Sequence, residues 1–123
     1  MNQHELVYDK TVRVRQYLHK VDETYDKVKS MGEKPDFFEV VEPFVNEVHR
    51  CVDEWNQLAK EWVHSHRPKN LYGQQIDAAT ENMKEVCVQA FDPKTSLRRF
   101  KHHIHSVQYV LEKLSAEIKN RAD

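Results

Sequence analysis

FFEVVEPFVNEVHRCVDEWNQLAKEWV, Phe37 to Val63, carries the periodicity that decides the fold: Val41, Val48, Trp55 and Trp62 alternate with Phe44, Cys51 and Leu58. Alternating steps of three and four residues, held over about four heptads, line one face of an α-helix. Both tryptophans fall on that face. Side chains this large, regularly spaced, need neighbouring helices to cover them, so the stretch reads as the most buried wall of a helical bundle. It specifies a core and no chemistry.

The flanking sequence repeats the pattern. Upstream, Val7, Val14, Val21 and Val28 recur every seven residues with Tyr17, Leu18, Tyr25 and Met31 between them, predicting a first helix over about Gln3 to Met31. Lys10 and Thr24 interrupt that seam, which points to loose packing or snorkelling side chains. Gly32 and Pro35 end the helix. Asp36 and Glu39 have capping-box spacing, and Pro43 predicts a kink over Glu39 to Pro43 or a separate first turn.

Downstream, the second helix runs to Pro68, and Pro68 to Gly73 forms the longest loop. A third helix, about Gln74 to Phe91, aligns Tyr72, Ile76, Ala79, Met83, Val86 and Ala90. After the break at Asp92-Pro93, Leu97, Phe100, Ile104, Val107, Leu111, Leu114 and Ile118 write a fourth helix that ends near Asn120. Four long amphipathic helices with short links predict an all-α, up-down-up-down antiparallel four-helix bundle, one domain over residues 1–123.

Composition narrows the function classes. The net charge of −1 gives no overall attraction to nucleic acid or anionic membrane. No apolar run approaches the roughly 18 residues of a membrane span. The first residues lack the apolar stretch of a secretion signal, so the expected location is cytoplasmic, with Cys51 and Cys87 as two separate core thiols.

At this level of detail the chain resembles the YppE-like family of small uncharacterised Bacillus proteins. The resemblance spans essentially the full length and rests above all on PKNLYGQQIDAATENMKEVCVQAFDPKTSLRRF, Pro68 to Phe100, and HSVQYVLEKL, His105 to Leu114. It implies a cytoplasmic four-helix bundle and brings no activity or site residue with it.

Candidate sites therefore come from the residues alone. Eight histidines suggest metal binding, and Glu61 to His64 has the Glu-x-x-His spacing of di-iron bundles. The direction is wrong, because with Trp62 inward His64 points away, and no second such motif occurs; no metal or cofactor is expected. The isolated glycines, Gly32 and Gly73, make no phosphate-cradling loop. No nucleophile is presented on a strained turn, so no catalytic site and no enzyme activity are expected.

Three surface features remain. Lys94 to His103, KTSLRRFKHH, has four Lys and Arg residues and no acid at the start of the fourth helix, where positive charge opposes the helix dipole. Arg98, His102, His105 and Tyr109 form an outward stripe beside Arg99, suited to an acidic peptide or phosphate; the alternative is neutralisation by acids such as Asp26 or Glu33. A second basic cluster, Lys60, His64, His66, Arg67 and Lys69, falls at the opposite end of the bundle, and acids on the second helix separate the two, which disfavours a nucleic-acid track. Gln75, Asn82 and Gln89 repeat every seven residues along the edge of the third helix as a register device or a shallow groove. The reading is a non-catalytic protein-interaction module, monomeric or weakly dimeric, with an unidentified protein partner. Its alternative is a bundle that binds a small ligand or metal.

Overall fold

Among the described residues four α-helices form in the order expected: α1 (Gln3–Met31), α2 (Glu42–His66), α3 (Gly73–Gln89) and α4 (Leu97–Arg121). The computed structural model describes residues 2–121; residues 1, 122 and 123 of the expected domain lie outside them. No strand occurs among the described residues. Neighbours are antiparallel, as the order of their pairings shows. Along α1 and α2, His4 meets Trp62, Lys10 meets Glu54 and Tyr17 meets Glu47. Along α1 and α4, Arg15 meets Glu112 and Asp22 meets Lys101. Each helix thus touches the next, and α4 closes onto α1.

The ends obey local chemistry. Asn2 caps α1 by accepting from the Glu5 N–H at 2.8 Å. Gly32 ends it in the left-handed region, φ 72°, and donates its N–H to Val28 O. The expected separate first turn of the second helix is a π-helical turn, Phe37–Val41, capped by Asp36, whose carboxylate accepts from the Glu39 N–H at 2.7 Å. Pro43 then sits in the opening turn of α2, where its missing N–H is not needed.

One continuous core takes side chains from all four helices, with Trp55 and Trp62 fully enclosed. Three details differ from the periodicity. In α1 the buried line is Val7, Thr11, Val14, Leu18, Val21, Tyr25 and Val28, so the threonine at position 11 replaces the apolar residue expected at Lys10. Lys10, Tyr17 and Thr24 are half-buried along its edge, and Met31 is exposed. Tyr72 and Leu97, assigned to core faces, are exposed because each precedes the turn in which its helix acquires a buried side.

Thr11 is what the seam needs at that point. Trp55 Nε1 donates to Thr11 Oγ1 at 3.0 Å, and Thr11 Oγ1 donates to Val7 O at 2.7 Å. A buried indole N–H without an acceptor is unfavourable by about 1–3 kcal/mol, so a hydroxyl here outperforms a valine of the same shape.

Candidate functional site

At the start of α4, Ser96 Oγ accepts from the Arg99 N–H at 3.4 Å and Ser96 O from the Phe100 N–H at 2.9 Å, which fixes the first turn. Phe100 enters the core and stacks on Tyr25 with ring centroids 4.1 Å apart. With Phe100 inward, Arg98, Arg99, His102, His105 and Tyr109 all face solvent. The structure therefore places the expected stripe on one helix as an exposed surface.

The neutralisation alternative holds for one residue of this segment. Lys101 Nζ lies 2.6 Å from Asp22 and 3.0 Å from Asp26 on α1. Burial by itself would lower this ammonium, but the hydrogen bonds to Asp22 and Asp26 prevail and hold its pKa above the ordinary lysine value. Among the described residues Lys94, Arg98 and Arg99 form no ion pair. Their charge stays at the positive end of the helix dipole, where each is unfavourable by about 0.3–1 kcal/mol.

Sequence periodicity missed what else occupies the end of the bundle that holds these arginines. The C-terminus of α1, the π-helical turn and the start of α4 share one end of the bundle, tied by hydrogen bonds from Tyr25 and Lys29 to Thr95 O and by the Lys34–Asp92 pair. At that end Met31 is 71 % exposed, Phe38 75 %, Phe37 54 % and Leu97 53 %. Phe37 and Phe38 pack edge to face on each other, with centroids 5.2 Å apart. Val28, Val41 and Phe91 form a small separate core, with Phe44 and Val45 packed against it. The signal available in the sequence was the adjacent pair Phe37-Phe38, which no helical face can bury together.

The amides of α3 have local roles. Gln75 Oε1 accepts from the Tyr72 N–H at 2.7 Å and so caps the helix, while Gln89 Nε2 donates to Glu85 at 2.9 Å. Asn82 is half-buried between them in sequence. These contacts do not assemble the three into one groove. Thr95, by contrast, donates to Gln89 O at 2.9 Å and ties the α3–α4 link to the end of α3.

The histidines part company too. His64 is exposed, as expected, but His66 turns inward and stacks on Trp62 at 4.6 Å, with His4 tilted against it at 4.9 Å. Trp62 Nε1 donates to His4 Nδ1 at 3.0 Å. This pair closes the end of the core. Among the described residues no three His, Cys, Asp or Glu side chains converge as a metal site would need.

Both cysteines are unpaired and buried. Burial pushes the Cys87 thiol up to about 12. Burial also raises Cys51, but Lys10 and Arg13 pull in the other direction, because Cys51 floors a cleft between α1 and α2 that these two cations line.

This arrangement matches proteins already solved. Residues 11–118 match the family described as a bacterial domain of unknown function (DUF1798). The chain belongs to this family. Among DUF1798 relatives, the uncharacterised protein YppE of Bacillus subtilis is 28 % identical over 114 residues, 93 % of each chain. The YppE crystal structure superposes with a TM-score of 0.92 at 27 % identity, covering 99 % of this chain and 98 % of that one. A Listeria innocua protein of unknown function gives a TM-score of 0.93 at 28 % identity, covering 98 % and 96 %. The DUF1798 fold is thus shared across the whole length.

Proposed function

We propose that the chain is a non-catalytic protein-interaction module of the cytoplasm, monomeric or weakly dimeric, that docks a partner on the bundle end formed by Met31, Phe37, Phe38 and the start of α4. The observation that carries this reading is the exposure of two aromatic and two aliphatic side chains at the same end of the bundle as Arg98 and Arg99. Apolar side chains clustered at one end are a costly surface to leave wet, and interfaces are enriched in aromatic residues, Met and Arg. The unpaired cations favour a partner segment that is acidic on one side and apolar on the other.

The amides of α3 lend the small-ligand alternative no support, since Gln75 caps the helix, Gln89 Nε2 is held by Glu85 with Oε1 buried and unpartnered, and the three do not converge on one groove. No described helix is long and apolar enough to cross a membrane.

In-cell crosslinking and pull-down of the native chain against an Arg98→Glu, Arg99→Glu variant tests the reading. One specific partner recovered by the native chain and lost from the variant supports it. Equal recovery by both moves the interface elsewhere.

A further inference from the structure

At the opposite end of the bundle, the link between α2 and α3 encloses an open basin of about 670 Å³. That is within the roughly 300–1,000 Å³ of small-molecule sites and much larger than a lone inorganic anion requires. Its floor is apolar and buried, made by Val63, Pro68 and Leu71, and the exposed ring of Tyr72 forms a wall. Four basic side chains surround it, Lys60, His64, Arg67 and Lys69, and among the described residues no carboxylate lines it. Lys60 is engaged by Asp77 at 3.1 Å outside the basin, whereas among the described residues His64, Arg67 and Lys69 form no ion pair.

The backbone adds donors to the same space. Gly73 and Gln74 line the basin and open α3, where the first N–H groups have no intrahelical acceptor. The Tyr72 N–H is taken by Gln75 and the Gln75 N–H by Tyr72 O, leaving the amides between them available. Cations, helix N-terminal amides and dipole all favour an anionic group here. The exposed Tyr72 ring favours a flat or greasy body attached to it.

We infer that this basin binds a small organic phosphate with an aromatic or apolar body, of the mononucleotide class, the phosphate on Lys69, Arg67 and the Gly73 and Gln74 amides, the body against the exposed Tyr72 ring. The site is independent of the interaction surface, which lies at the other end of the bundle.

Amide chemical-shift titrations of the isotope-labelled full chain with adenosine monophosphate, adenosine and inorganic phosphate test it. The expected result is saturable shifts at Gly73, Gln74 and Lys69 with the monophosphate, weakened about tenfold or more both for adenosine and for inorganic phosphate, and weakened similarly by Lys69→Glu. Lys69 is exposed, and unchanged amide dispersion elsewhere checks that this variant keeps its fold. Arg67→Gly provides a second variant, since glycine accepts the left-handed backbone at that position, φ 46°. The Arg98→Glu, Arg99→Glu variant is expected to bind as the native chain does. Absence of saturable shifts in the basin overturns the inference. So does inorganic phosphate or adenosine acting as strongly as the monophosphate, or binding that neither basin variant weakens.

Discussion

Trp55 on α2 donates its indole N–H to the Thr11 hydroxyl on α1 at 3.0 Å, inside a core that excludes water from both. Thr11→Val preserves shape but leaves the indole unpartnered. It is expected to lower the unfolding free energy by about 1–3 kcal/mol in a urea melt, while Thr11→Ser, which keeps the acceptor, loses less.

The two thiols should react very differently. At pH 8 about one in ten thousand Cys87 side chains is ionised if its pKa is about 12, so alkylation there requires the chain to open. Cys51 faces the α1–α2 cleft beside Lys10 and Arg13 and is expected to be modified first, as peptide mass spectrometry over a time course would reveal. Equal rates at both residues would contradict the packing.

Cys87 also sets an alkaline dependence. Its folded pKa is raised from an ordinary value of 9.0 to about 12, so in that window the unfolded chain gives up its proton first and the native state loses stability as pH rises. Compared with Cys87→Ala, the native chain should weaken more steeply above pH 9, by up to about 1.4 kcal/mol per pH unit. Parallel curves for the two proteins would place the thiol in a wetter site.

The link from α1 to α2 depends on two local devices. Asp36→Ala removes the acceptor of the Glu39 N–H and is expected to destabilise by about 1 kcal/mol. Gly32→Ala meets no atom within 4 Å, so its penalty is the left-handed backbone alone, about 1–2 kcal/mol. Thermal melts of the two variants and their combination would test whether the devices act separately.

Much of this fold was legible in the chain because apolar residues at helical spacing have one geometric reading. Val7, Val14, Val21 and Val28, and the run from Phe100 to Ile118, are buried as their spacing implies. What pairs across helices was not legible. Thr11 and Trp55, or His4 and Trp62, are brought together by the relative rotation of two helices, which no single-helix period contains. Phe37, Phe38 and Leu97 have the composition of core residues; only the ends of their helices leave them uncovered. Of the candidate site, the arginines were visible as charge, whereas the apolar residues that share their end of the bundle required the topology that joins the end of α1 to the start of α4.

Exposure of Phe37 and Phe38 makes a clean separation of stability from function. Phe37→Ser with Phe38→Ser should change the unfolding free energy by little more than about 0.5 kcal/mol per site, since neither ring is buried. A loss of several kcal/mol would mean that the pair serves the fold.

Site-specific photo-crosslinking in cells addresses the interaction surface directly, with a benzophenone side chain placed in turn at Phe38, at Arg98 and, as a control on the outer face of α3, at Val88. One and the same protein adduct is expected from Phe38 and Arg98, absent at Val88 and abolished when Arg99→Glu is added. Adducts of equal yield from all three positions, or an adduct at Val88 alone, would contradict it.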